Sequence, residues 1–236
     1  MNEKDQTTQI LRATGINPHE SRALSDGCIE VEPSFDLSPE DFIRFAELDL
    51  AQDDERSLVN ALGNAKRAID CRTDIIISAL KLSPKRLKLS KLSILKEIGA
   101  LAPRILNKVR SARNLLEHEY VLPTRELVED AVDVAMLFEA AAHRVLHLFP
   151  EVIYIYNNSE KDGVDGHLFQ NEINITFTEG GYKVSGYKNC NKMDIELLIP
   201  TNSSLYFVFT KLYVSTHVER GIDAALKELY EKVEYL

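Results

Sequence analysis

The sequence lacks the motifs that identify several common enzyme and metal-binding classes. Its 236 residues include no tryptophan and three cysteines, Cys28, Cys71 and Cys190, which are far apart and form no CxxC pair. This spacing excludes a cysteine-rich zinc site, and we expect three reduced thiols in a cytoplasmic protein. GxxxxGK[ST], GxGxxG, GxSxG and HExxH are also absent, which argues against P-loop, dinucleotide-binding, α/β-hydrolase and zincin chemistry.

No long stretch of the chain is apolar enough for secretion or for a membrane. The polar residues 1–6 are not followed by an apolar segment, so we expect no signal peptide. The most apolar long window, residues 131–149, contains Asp133, Glu139 and Arg144, which a lipid bilayer tolerates only at considerable cost. We therefore interpret this window as a buried amphipathic helix and expect no membrane partner.

Glycine and proline are scarce, and negative charge exceeds positive charge. With 10 Gly, 8 Pro, 44% hydrophobic and 28% charged residues, the composition is typical of a globular protein. The net charge of −9 argues against a non-specific nucleic-acid binder. However, residues 81–113 contain ten lysines and arginines and a single acid, Glu97. Two interpretations of this basic window stay open, a solvated helix face or a surface that attracts phosphate.

Helical periodicity dominates residues 38–149. Ser38 followed by Pro39 and two acids predicts a helix start, with serine as the N-cap. Apolar residues then recur at helical spacing. They predict further helices over residues 55–82, 90–98, 101–120 and 125–148. Residues 1–37 contain several glycines and prolines and are predicted to be a weakly structured lead, which could include a short helix around residues 7–13.

From Pro150 onward the apolar pattern changes from helical to alternating. Five strands and a closing helix are predicted, over residues 152–156, 172–178, 182–187, 194–199, 205–215 and 217–233. These elements form a small α+β domain of unknown role over residues 150–236. The predicted fold class is therefore mainly α, with an N-terminal helical bundle over residues 38–149 followed by this small C-terminal α+β domain.

The segment Arg113–Tyr120 carries the clearest chemistry in the chain. It places an arginine, a histidine and a tyrosine within eight residues, just before Pro123. Arginine neutralises phosphate charge and histidine moves protons near neutral pH, so both suit chemistry on a phosphodiester. On a helix of about 100° per residue, Arg113 and His118 lie roughly 140° apart and do not point at one spot. A cleft between two helices, or between two copies of one helix across a dimer axis, could bring them together.

Two copies of this motif would be able to cleave RNA without a metal or a cofactor. One His118 would remove the proton from the RNA 2′-OH, and the other would protonate the leaving 5′-oxygen. Arg113 would stabilise the phosphorane-like transition state, and Asn114 could orient a phosphate oxygen or the second histidine. The product would be a 2′,3′-cyclic phosphate. The alternative is a helix whose arginine and histidine have no catalytic role.

Residues 38–149 resemble a HEPN domain, a helical bundle whose ribonuclease members carry Arg-x4–6-His with a polar residue after the arginine. Arg113, Asn114 and His118 match this motif. Tyr120 completes the Arg-x4-His-x-Tyr form of HEPN toxins that are paired with MNT nucleotidyltransferase antitoxins. The resemblance implies a HEPN-like bundle, RNA cleavage by a homodimer and a toxic or defensive role.

The resemblance also implies partners and further site residues. An antitoxin or regulatory protein of nucleotidyltransferase type would attach AMP at the position of Tyr120. Arg110 and Lys108 lie in the basic window just before the motif, and we expect them to bind substrate. Other HEPN domains only bind RNA or scaffold complexes. A non-catalytic module for dimerisation and for binding RNA or protein is therefore the alternative function.

A weaker pattern lies on the last helix of the predicted bundle. Glu139, His143 and His147 recur at a spacing of four residues, which could hold a metal ion. A solvated or interface face is the favoured interpretation of this spacing, and we expect no metal among the site residues.

Overall fold

The chain forms two compact units, one of which is built from both ends of the sequence. The computed structural model describes residues 2–29, 35–52, 54–100, 121–158, 169–217 and 221–235. A helical unit lies within residues 31–146, and an α+β unit combines residues 1–30 with residues 147–236. The protein is therefore α+β, and the predicted mainly-α class with an N-terminal bundle is wrong. The prediction failed because both ends of the chain build the α+β unit, and the helical unit lies between them in the sequence.

One antiparallel sheet organises the α+β unit. Its strand order is β1-β2-β3-β4-β5, the same as the order along the chain. A row of apolar partners crosses the sheet, where Ile153 faces Ile175, Ile175 faces Val184, and Val184 faces Leu197. The alternating pattern of residues 150–199 correctly predicted four of the five strands. The strands are β1 (Ser21–Asp26), β2 (Val152–Asn157), β3 (Glu172–Thr178), β4 (Gly181–Lys188) and β5 (Asn191–Pro200).

The first residues of the chain form a helix and an edge strand, whereas the prediction allowed only a short helix around residues 7–13 within a weakly structured lead. Helix α1 (Glu3–Thr14) is capped by Asn2, whose Oδ1 accepts a hydrogen bond from the Asp5 N–H at 2.9 Å. It packs closely on β4 at Gly186, where an added Cβ would lie 2.8 Å from the Thr14 side chain. Strand β1 pairs with β2, which comes much later in the chain. Local sequence therefore gave little sign of this strand.

The run of residues 205–215 was predicted as a fifth strand and is a helix instead. Helix α7 (Tyr206–Val214) is followed by a 3-10 turn (Ser215–His217) and by α8 (Gly221–Lys232), which was predicted. Aromatic and β-branched residues favour strands, but burial overrides that preference here. Tyr206, Phe209 and Tyr213 recur at helical spacing, and their rings lie 4.9–5.7 Å from the Tyr182 ring.

Local capping signals determine where the helices of the helical unit begin. Ser38 Oγ accepts from the Asp41 N–H at 3.1 Å, and the Asp41 carboxylate accepts from the Ser38 N–H at 3.0 Å. Asp54 caps the next helix by accepting from the Ser57 N–H at 2.9 Å. These predicted starts are confirmed. The helices are α2 (Pro39–Leu50), α3 (Glu55–Ala79), α4 (Pro84–Leu87), α5 (Lys91–Glu97) and α6 (Arg125–His147).

Small and aliphatic residues fill the core of the helical unit. Ala61, Leu62 and Ala65 of α3 are fully buried, as are Val128 and Ala142 of α6. The helix predicted over residues 101–120 lies outside the described residues. Within the described ranges, no helix combines the length and apolar character needed to cross a bilayer.

Candidate functional site

The residues predicted for catalysis and RNA contact lie outside the part of the chain that the structure describes. All of them fall in the segment 101–120, which follows α5 and precedes α6 in the sequence of the helical unit. Their arrangement, the homodimer and the metal-independent chemistry therefore stay predictions. These residues are Lys108, Arg110, Arg113, Asn114, His118 and Tyr120.

The described half of the basic window exposes positive charge. Lys85, Lys88 and Lys96 are exposed on or beside α4 and α5. No carboxylate among the described residues lies within 4.0 Å of their ammonium groups. Lys91, in contrast, forms an ion pair with Asp74 of α3. Uncompensated positive charge therefore precedes the segment that carries the predicted motif.

A polar cluster joins three helices of the helical unit, and we call its four residues the Arg72 cluster. Glu40 comes from α2, Arg72 from α3, and Glu139 and His143 from α6. The side chains of Arg72 and Glu139 are only 8% and 10% exposed, whereas that of Glu40 is 56% exposed. The cluster thus extends from the core of the unit to its surface.

Arg72 holds both carboxylates of the cluster. Its Nε donates to Glu139 Oε2 at 2.7 Å, and its Nη2 donates to Glu139 Oε1, which makes the contact bidentate. Nη2 also donates to Glu40 Oε1 at 3.2 Å. Bidentate arginine–carboxylate pairs restrict the orientation of both groups. Glu139 is therefore held in a defined position.

The two helices place these charges in otherwise apolar faces. Arg72 lies between Ile69 and Ile76 on the buried face of α3, and Glu139 lies between Ala135 and Ala142 on that of α6. Burying an ion pair costs desolvation free energy, and the attraction between the two charges barely offsets it. A gain in stability is therefore a weak explanation for this pair.

Burial and neighbouring charge move the two carboxyl groups in opposite directions. Burial raises the pKa of Glu139, and the adjacent Glu40 raises it further, although Arg72 acts against both. Burial also acts to raise the pKa of Glu40. Hydrogen bonds to its own backbone and to Glu139 and Ser38, together with the Arg72 charge, outweigh that effect, and the pKa of Glu40 is lowered. Protons are therefore retained more readily on Glu139 than on Glu40.

The cluster also offers ligands for a metal ion. One ligand atom each from Glu40, Glu139 and His143 lies within 4.8 Å of the other two. A groove of about 380 Å³ runs over these residues, between Ile43 and Arg44 of α2 and Met136 of α6.

Sequence reasoning noted Glu139 and His143 but favoured a solvated or interface face for them over a metal site. The predicted spacing joined Glu139 and His143 with His147, whereas the structure brings Glu40 to them. Arg72 and Glu40 were missed. For Arg72 the sequence did offer a signal, because a charged residue stands at a position where the helical spacing predicts an apolar one. Glu40 carried no such signal, because it reaches the cluster from another helix.

Comparisons with known proteins provide no relative. No family model matches the chain, and neither a curated protein nor a solved structure matches it. The resemblance to HEPN domains therefore depends on the Arg113–Tyr120 motif and on its helical surroundings in the sequence.

Proposed function

We propose that this protein is a cytoplasmic, metal-independent endoribonuclease of HEPN type that acts as a homodimer in a toxic or defensive role. The observation that carries the proposal is the motif Arg113-x4-His118-x-Tyr120, which lies between α5 and α6 of the helical unit. Arginine and histidine are the side chains that phosphodiester cleavage without a metal requires.

The described helices support this proposal through charge. RNA binding depends on basic side chains that neutralise phosphates. Lys85, Lys88 and Lys96 are exposed and form no ion pair with a described carboxylate, just before the motif segment. Arg110 and Lys108 extend the same basic window toward Arg113. This window supplies a local attraction for RNA in a chain whose net charge is −9.

In the proposed reaction, two His118 side chains divide the proton transfers. One accepts the proton of the RNA 2′-OH as the oxygen attacks the adjacent phosphorus, and the other donates a proton to the leaving 5′-oxygen. Arg113 stabilises the charge that builds up on the phosphate oxygens, and Asn114 orients the phosphate. The RNA is left with a 2′,3′-cyclic phosphate.

Tyr120 is the proposed point of control. Attachment of AMP by a nucleotidyltransferase-type antitoxin would add negative charge two residues from His118. That charge would repel the RNA phosphate and compete for Arg113. The modified protein would therefore not cleave RNA.

The test is cleavage of a mixed RNA pool in EDTA, with the 3′ ends mapped. We expect the wild type to leave 2′,3′-cyclic phosphates and His118→Ala to leave the RNA intact. His19→Ala is the matched control, because His19 is an exposed histidine of the α+β unit. Cleavage by the His118→Ala variant would disprove the assignment. So would an inactive wild type whose intact mass shows no modification.

The exposed lysines also favour a second function, a module that binds RNA without cleaving it. In that case RNA would bind to the wild type and to His118→Ala equally, and binding would weaken steeply as salt increases. Replacing Lys85, Lys88 and Lys96 together with glutamine would reduce that salt dependence. Measurable turnover by the wild type excludes this alternative.

A further inference from the structure

We propose that Glu40, Glu139 and His143 bind a divalent transition-metal cation of the zinc class, with Arg72 orienting the Glu139 carboxylate. The ion would join α2 to α6 within the helical unit. This proposal does not depend on the proposed ribonuclease function, because its ligands are separate from the predicted motif.

The distances between the donor atoms allow coordination after small side-chain movements. Zinc binds carboxylate oxygen and imidazole nitrogen at about 2.0–2.2 Å, which places tetrahedral donors roughly 3.5 Å apart. The three donor atoms here lie within 4.8 Å of one another. Glu40 and His143 are exposed, whereas Glu139 is buried and held by two hydrogen bonds from Arg72. The least movable ligand therefore sets the position of the ion.

Arg72 provides the support that a carboxylate ligand needs. Ligating carboxylates are commonly oriented by hydrogen bonds from residues behind them. The buried Arg72 makes two hydrogen bonds to Glu139, and Glu139 also lines the groove together with Glu40 and His143. Because each carboxylate oxygen has two acceptor positions, one direction on Glu139 is left for a cation.

The charge balance of the cluster favours a cation. Two carboxylates and one guanidinium carry a net negative charge when both acids are ionised. Arg72 Nη2 donates to both carboxylates, so one positive charge is shared between two acids. A metal ion bound to Glu40 and Glu139 would add positive charge and reduce the repulsion that remains between them.

The donor set distinguishes among metals. Two carboxylate oxygens and one imidazole nitrogen suit Zn²⁺ and related first-row ions. Mg²⁺ and Ca²⁺ prefer oxygen ligands alone, and Cu⁺ prefers sulfur. The groove leaves room for water at the remaining coordination positions. We therefore expect Zn²⁺ to bind much more tightly than Mg²⁺.

The test is titration of the metal-free, full-length protein with ZnCl2 and MgCl2 by calorimetry. We expect one Zn²⁺ per chain, a rise in thermal midpoint and no comparable binding of Mg²⁺. His143→Ala and Glu40→Gln should each weaken Zn²⁺ binding at least tenfold while the far-ultraviolet circular dichroism stays unchanged. Both replaced side chains are exposed, so the variants are expected to fold.

His147→Ala is the matched control, one helical turn beyond His143 on α6, and it should bind Zn²⁺ like the wild type. Absence of Zn²⁺ binding to the wild type would overturn the proposal. Equal affinities of His143→Ala and His147→Ala would also overturn it, as would equal affinities for Zn²⁺ and Mg²⁺. Cleavage of RNA in EDTA tests the motif and not this ion, so the two proposals fail separately.

Discussion

The two units of this protein use buried polar groups in different ways. In the α+β unit several buried hydroxyl groups satisfy one another, as where the Tyr230 hydroxyl meets Ser21 Oγ at 2.7 Å and the Tyr182 hydroxyl donates to Thr210. The buried acid of that unit, Glu172, accepts a hydrogen bond from the Phe169 N–H at 3.2 Å. In the helical unit a buried ion pair, Arg72 with Glu139, lies beside an open groove. The first arrangement completes a core, whereas the second has a charged group available to a ligand. Both of our proposals therefore concern the helical unit.

The units can be observed separately because their aromatic residues are distributed unequally. Eight of the nine tyrosines lie within residues 147–236, and tryptophan is absent. Tyrosine fluorescence therefore reports mainly on the α+β unit. Circular dichroism at helical wavelengths reports on both units, with a large contribution from the long helices α3 and α6.

The largest expected effect comes from breaking the buried ion pair. Arg72→Ala leaves Glu139 buried without its partner, which should lower the free energy of unfolding by about 3–5 kcal/mol. Urea unfolding in EDTA should show the loss in the helical signal and not in tyrosine fluorescence. Asp70→Asn, which removes an exposed ion pair with Lys66 on the same helix, should cost only about 0.3–0.5 kcal/mol. Equal effects of the two variants would show that the buried pair has no special role.

Two glycine substitutions should have opposite signs in the two units. At Gly186, an added Cβ would lie 2.8 Å from Thr14 and 3.2 Å from Ile10, so Gly186→Ala should destabilise the α+β unit by about 1–3 kcal/mol. At Gly63 of α3 nothing lies within 4 Å, so Gly63→Ala should stabilise the helical unit by about 0.4–1 kcal/mol. Urea unfolding measures both shifts. Tyrosine fluorescence follows Gly186→Ala in the α+β unit, and circular dichroism follows Gly63→Ala in the helical unit. A neutral Gly186→Ala would contradict the close packing of α1 on β4.

The smallest effect is confined to alkaline pH. Burial raises the pKa of Tyr182, Tyr206, Tyr213 and Tyr230 above the usual value of about 10. Since the folded state favours their neutral form, this stability is present below pH 10 and is lost as the pH rises above it. A pH jump followed by tyrosinate absorbance should show a fast phase from the other tyrosines and a slow phase with unfolding. A single fast phase with the fold intact would contradict the buried hydroxyls.

Features determined by neighbouring residues could be predicted from the sequence. The caps at Ser38 and Asp54 and the strands flanking Gly180–Gly181 depend on contacts within a few residues. Strand β1 and helix α7 were missed because one depends on a distant partner strand and the other on burial. The Arg72 cluster was not predicted, because Glu40 and Arg72 reach Glu139 and His143 from two other helices. Only the complete fold brings them together.

The pairing of β1 with β2 has a consequence for synthesis of the chain. The Ile29 N–H donates to the Phe149 carbonyl at 2.9 Å, so the chain leaves the α+β unit and returns to it at the same point. The helical unit is thus an insertion within a β-hairpin. As the ribosome synthesises the protein, every residue of the helical unit is made before β2. Strand β1 therefore has no β2 to pair with until the whole helical unit has been synthesised. The order of translation thus separates the folding of the two units in time.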